Sequence, residues 1–240
     1  MDRPNNRLLA SLPDEDFNRV APHLRCVPLE AKSVLHRQGE RIRDVYFPNG
    51  GVVSIVTALS TGEAIEGATV GDEGMVGLPA FFADYPISPF ESVVQVPDHD
   101  ALTLSMEEFR RELNHVSTLH KLMEAYAQVI IAQIMQSNAC NAVHVVQQRC
   151  ARWLLMTHDR VRRDEFQLSQ EFLAQMLGVH RPTVSEVAGL LQDKGYIRYR
   201  YGRIQVLSRE ALERCSCECY GVMRAHFDRL QGSIAPSPPK

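Results

Sequence analysis

The segment LSQEFLAQMLGVHRPTVSEVAGLLQ, Leu168 to Gln192, restricts the fold more than any other part of the chain. Two apolar ladders at helical spacing, Phe172, Leu173, Met176 and Leu177, then Val184, Val187, Ala188 and Leu191, flank a short interruption. Ser169 stands where a helix N-cap belongs. Gly178 supplies the positive φ that a sharp turn demands. Pro182 suits the first turn of a following helix, where its missing N–H would have had no partner. The pattern predicts two helices and a tight turn, with Arg181, Thr183, Ser185, Glu186 and Gly189 left facing outward. Beyond LLQDKGYI comes RYRYGRIQV, read as two short strands joined at Tyr201-Gly202, and alternation exposes Arg198, Arg200 and Arg203.

A helix with short polar groups and an arginine near its N-terminal end matches the edges of a DNA major groove. Arginine pairs with guanine or phosphate, serine and threonine bond either, and glutamate accepts from cytosine. Taken alone, the helix pair also reads as a solvated hairpin; the basic wing beside it favours a phosphate backbone as partner. Charge is divided in the same sense. Residues 1–141 carry a formal −8 and residues 142–240 a formal +5. An acidic front half and a basic back half point to two jobs.

Upstream the texture changes twice. Residues 7–25 predict short helices around Leu8, Leu9, Leu12, Phe17, Val20 and Leu24. From about Val27 to Leu104, β-branched runs such as VVSIVTAL and SVVQVP alternate with the corners PNGG, STGE and VGDEG, which predicts a compact antiparallel barrel or sandwich. Ser105 is the expected N-cap of a helix with Glu107 and Glu108 in its first turn. A longer helix over 117–138 carries Leu119, Met123, Tyr126, Ile130 and Ile134 near an a/d stripe, widened by Val129 and Ile131. That stripe is expected to meet a second copy, against the alternative of burial within one chain. A break at SNACNA, 137–142, leads to a further helix over 143–158, and the tail SIAPSPPK is expected to be disordered. No apolar run reaches the ~18–20 residues that span a bilayer. The opening MDRPNNRLLASLPDED lacks the pattern of a secretory signal. A cytoplasmic protein without membrane contact, its six cysteines reduced, is the expectation.

The stretches VLHRQGE, VYFPNGGVVSIV, GDEGMVGL, the long helix and LSQEFLAQMLGVHRPTVSEVAGLLQDKGYI, in that order, resemble the Crp/Fnr transcription regulators from about Arg7 to Leu212. The resemblance implies an α+β chain: a double-stranded β-helix (β-roll) sensor over 1–115, a dimerisation helix over 116–141 and a winged helix-turn-helix over 142–240. It implies a homodimer on a near-palindromic operator, with double-stranded DNA and, by family analogy, RNA polymerase as partners. Arg181, Thr183, Ser185 and Glu186 would read base edges; Ser169, Gln170, His180, Arg200 and Arg203 would contact the backbone. Pro182 falls where many members carry glutamate, and Glu186 where many carry arginine, so the usual half-site is not implied.

The sensor departs from the cyclic-AMP pattern. The expected pocket comprises Glu66, Gly74, Met75, Val76, Gly77, Glu91, Ile134 and Met135. Met75 replaces a glutamate between the turn glycines, no arginine stands near Phe90–Ser92, and Glu91 would repel a phosphate. Ile134 and Met135 replace hydroxyls that would face the purine. Cyclic AMP is not the expected effector; a different small molecule, another nucleotide and an empty sensor all stay open. Only Cys26 precedes residue 140, which argues against the iron–sulfur branch. His36, His99, His115 and His120 mark no haem ligand.

CSCEC, Cys215–Cys219, remains. If 209–227 were one helix, Cys215 and Cys219 would share a face, with His226 as a third metal ligand and Cys217 elsewhere. Buried, inert cysteine is the commoner outcome, so no metal is expected and this pair stands as the weak candidate. A thiol- or metal-responsive regulator and a scaffold that keeps the fold without binding DNA are the alternatives. No catalytic motif is present, and no enzyme is expected.

Overall fold

The computed structural model describes residues 2–60 and 64–234. Most of the STGE corner and nearly all of the SIAPSPPK tail lie outside the described residues. Helices α1 (Arg7–Ala10) and α2 (Asp14–Val20) bury Leu8, Leu9, Phe17 and Val20 beneath the strands that follow. Strands β1 (Arg25–Leu29), β7 (Asp98–Ser105) and β3 (Asp44–Phe47) make one antiparallel sheet. A second sheet orders β2 (Val34–His36), β6 (Glu91–Val96), β4 (Val52–Ala58) and β5 (Ala64–Val70). The two sheets form the roll.

β4 shows why VVSIV has no polar alternation. Val53 and Ile55 face the interior of the roll, whereas Val52 and Val56 pack into the core of the C-terminal domain. A strand covered on both faces reads as a continuous apolar run. The second sheet is therefore a floor shared by two cores.

A short helix α3 (Pro79–Phe82) leads toward β6. Helix α4 (Met106–His115) starts on a capping box in which Ser105 and Glu108 exchange hydrogen bonds. Helix α5 (Ser117–Val143) runs for 27 residues, through the SNACNA segment expected to break it. Ser137 and Cys140 are buried there, and tertiary contact overrides their weak helical preference. The turn falls at His144 and Val145, before α6 (Val146–Val161).

Beyond α6 come β8 (Glu165–Gln167), α7 (Gln170–Leu177), α8 (Arg181–Asp193), β9 (Ile197–Arg200) and β10 (Arg203–Val206). The wing has three strands, in the order β8-β10-β9, rather than the expected two. Helix α9 (Arg209–Cys215) stops at Ser216, and α10 (Cys219–Ile234) then packs against α5, with Phe227 and Leu230 in the core of the roll. The last helix thus ties the C-terminal domain back to the roll.

Candidate nucleic-acid interface and sensor pocket

The geometry of the helix pair follows from its caps. Ser169 Oγ accepts from Phe172 N at 3.2 Å, and Gly178 ends α7 in the left-handed region at φ 60°. Pro182 lies in the first turn of α8. Val184, Val187, Ala188 and Leu191 bury the inner face of α8, which leaves Arg181, Ser185 and Glu186 exposed and Thr183 half-buried. Ser185 Oγ donates to Gln170 Oε1 at 2.8 Å, linking the outer faces of the two helices. His180 is exposed at the N-cap, and Ser169 and Gln170 are half-buried.

The wing turns in two residues, Tyr201 and Gly202, both at positive φ (50° and 72°). That combination matches the twist of a tight hairpin but strains a side chain with a Cβ. Tyr201 nevertheless occupies the tip fully exposed, and charge-based reading did not single it out. Arg200 lies directly opposite Arg203 in the ladder. Like charges across a strand pair are destabilising, so the arrangement suits an external polyanion rather than the isolated fold. Arg203 Nη1 pairs with Glu165 Oε1 at 3.1 Å, both half or more exposed, and an exposed pair of this kind is worth ~0–1 kcal/mol. A phosphate can displace it.

The family model described as a Crp-like helix-turn-helix domain matches residues 148–215, the segment that builds this surface. Residues 148–215 are a Crp-like helix-turn-helix domain. Solved structures agree in fold. FixK2 from Bradyrhizobium japonicum matches with a TM-score of 0.67 and 16% identity, over 81% of this chain and 98% of that chain. The c-di-GMP-responsive global regulator CLP of Xanthomonas campestris matches at 0.61 and 15%, over 82% and 100%. A CRP-family regulator from Thermus thermophilus matches at 0.55 and 22%, over 78% and 95%. No curated protein matches by sequence.

Between the roll and α5 lies a cavity of about 420 Å³. Of the residues expected to form it, Met75, Gly77 and Ile134 line it, together with Phe82, Tyr126 and Ile130. Glu66, Glu91 and Met135 are not among its walls. Met135 is exposed on α5, Glu91 ladders with Val56, and Glu66 points at α6. The walls are overwhelmingly apolar.

The glycine turn over residues 71–77 is also occupied by its own chain. A Cβ on Gly74 would collide with the Tyr126 ring, and one on Gly71 with the Arg160 side chain. Tyr126 Oη donates to Met75 O at 3.1 Å, and Val76 bridges Tyr46. Asp72 and Glu73 in this turn are buried and pair outward with α6 and the residue that caps it, Asp72 to Arg162 at 2.5 Å and Glu73 to Arg160 at 2.7 Å. Burial, with the neighbouring Glu73 charge adding to it, pushes the Asp72 carboxyl up to about 6 against the pull of Arg7 and Arg162. From Asp44 to Phe109 the sequence has no lysine or arginine.

Glu66 forms the other link between domains. Its carboxylate accepts from Trp153 Nε1 at 3.0 Å, from Gln95 Nε2 at 3.1 Å and from Ser54 Oγ. Burial pushes its pKa up to about 7, although Ser54, Arg152, Trp153 and Arg160 all favour the anion.

Two groups of candidate residues fare differently from expectation. Leu119, Met123, Tyr126 and Ile130 are buried inside their own subunit, and Ile134 is partly covered there. The apolar side chains that α5 offers outward include Ile131 and Met135. Past Gln128 both faces of this helix carry apolar side chains, so periodicity did not reveal which one the roll takes. The cysteine expectation also changes, because 209–227 is two helices and not one. Cys215 and His226 stand apart, while Cys217 and Cys219 gather with Cys140 and His144. Buried Cys150, its pKa raised to about 12 by burial, is inert.

Proposed function

We propose that two copies of this regulator bind one near-palindromic operator and that the roll answers to an effector without a phosphate. The outward arginine and short polar side chains of α8, flanked by a cationic wing, carry the reading. Arg181, Thr183, Ser185 and Glu186 meet base edges, while Ser169, Gln170, His180, Arg200 and Arg203, with Tyr201 at the tip, follow the backbone. The partner copy lies on the Ile131 and Met135 face of α5, and two-fold symmetry then sets the half-sites about one helical turn, ~34 Å, apart.

The sensor reading rests on the cavity. Its walls suit an apolar or aromatic molecule, and the Cβ directions of Gly71 and Gly74 in the adjoining turn are filled by Arg160 and Tyr126. Cyclic AMP fits none of these features. Ile131 lines the cavity and is also exposed on α5, so a ligand there touches the helix that meets the partner. RNA polymerase is the downstream partner in this reading, and the cytoplasm its location.

Paired substitutions test the interface. Arg203→Ala should weaken binding to all DNA and reduce the slope of log K against log salt by about 2 per dimer, one phosphate contact from each copy. Arg181→Ala should cost about 1–3 kcal/mol per half-site on an enriched site and relax base preference at one position in each half-site. Equal losses for both variants on enriched and random DNA would remove the assignment.

A further inference from the structure

Cys140, His144, Cys217 and Cys219 come from two distant parts of the sequence and place one sulfur or nitrogen each within 4.8 Å of all the others. Cys140 Sγ and Cys217 Sγ are 3.5 Å apart, and Cys219 Sγ stands 3.6 Å from His144 Nδ1. A tetrahedral zinc, with Zn–S near 2.3 Å and Zn–N near 2.0–2.1 Å, sets sulfurs about 3.8 Å apart and sulfur about 3.6 Å from nitrogen. We propose that these four residues form a structural zinc site joining the end of α5 to the start of α10.

Local structure explains how they converge. Cys140 and His144 are four residues apart and share a face of α5, His144 being its C-cap. Cys217 and Cys219 bracket Glu218 where α9 has ended and α10 begins, so neither is held to a continuous helix. All three thiols are buried.

The surroundings are those of a metal site. His144 Nε2 meets Glu218 Oε2 at 3.2 Å. That contact holds the Nε2 proton and leaves the Nδ1 lone pair aimed at the sulfurs, the orientation a carboxylate imposes on a zinc-bound histidine. Gln136 Nε2 donates to Cys219 Sγ at 3.0 Å. Zinc with three thiolates carries one net negative charge among buried groups, and a buried charge needs a counterion. Arg149 and Arg152, both buried, interact electrostatically with Cys140. Among the described residues, Arg152 Nη1 donates to the thioethers of Met156 and Met223, and its Nε has no hydrogen-bond partner. A bound ion would fix the corner at His144, where α5 gives way to α6, so occupancy sets how rigidly the reader is attached.

The test uses the full chain. Purified without chelator, it should hold about one zinc per chain by elemental analysis, and Cys217→Ser and Cys140→Ser should each lose most of it. Cys215→Ser and Cys26→Ser should keep it. Should a ligand variant fail to fold, the wild-type chain decides: stripped and reloaded with cobalt(II), it should show tetrahedral d–d bands with sulfur-to-cobalt charge transfer, bleached by equimolar zinc. A metal-free chain with a Cys140–Cys217 disulfide overturns the proposal. So does bound iron with labile sulfide, or zinc that survives Cys217→Ser.

Discussion

The contact between Glu66 and Trp153 makes a prediction that can be read directly, because Trp153 is the chain's one tryptophan. Glu66 titrates near 7 when folded, against a usual 4.5. A carboxyl raised in this way contributes stability that is fully present below the unfolded pKa and is lost as pH rises through the folded one. The window here runs from about pH 4.5 to pH 7. At about 1.4 kcal/mol per pKa unit, the loss between pH 5 and pH 8 is roughly 2–3 kcal/mol. Replacing Glu66 by glutamine keeps the acceptor for Trp153 and removes the proton. Trp153 emission in the wild type should therefore titrate with a midpoint near 7, and in Glu66→Gln it should be flat over that range. Denaturant midpoints should converge at pH 5 and separate at pH 8, with the glutamine variant the more stable. Wild-type emission that does not change between pH 5 and 8, or the same midpoint in both proteins, would refute the reasoning.

Two further outcomes follow from the same geometry. Ile131→Glu on the outward face of α5 should shift the proposed dimer toward monomer in sedimentation without a large loss of thermal stability, whereas Ile130→Glu, buried against the roll, should unfold that domain. Arg160→Met removes the closest ion pair of the buried Glu73 carboxylate and should cost roughly 3–5 kcal/mol in thermal or chemical denaturation, with part of it recovered by adding Glu73→Gln.

What the sequence disclosed, and what it withheld, follows the range of the forces involved. The α7–α8 pair was legible because a serine cap, a glycine at positive φ and a proline in the first turn act within a few residues. The paired apolar ladders and the Ser105 cap were legible for the same reason. The outward face of α5 was not, since past Gln128 apolar residues stand on both sides and carry no mark of which side the roll covers. The end of α5 was misplaced because Ser137 and Cys140 are held helical by their burial rather than by propensity. Glu66 belongs to a domain contact that only the assembled chain creates. The thiol cluster was hidden most completely: Cys140 and Cys217 lie 77 residues apart, and the CSCEC spacing pointed to Cys215, the wrong member. The β8 strand escaped because it has only three residues and depends on β10 for its pairing.

The central claim is that α8 and the wing, doubled by a two-fold axis, enter successive turns of a duplex. Hydroxyl-radical footprinting of a genomic fragment enriched by the purified protein addresses it most directly. Two protected patches about ten base pairs apart, on one face of the helix and weakening steeply with added salt, are predicted. A single patch, or no fragment retained even at low ionic strength, contradicts it.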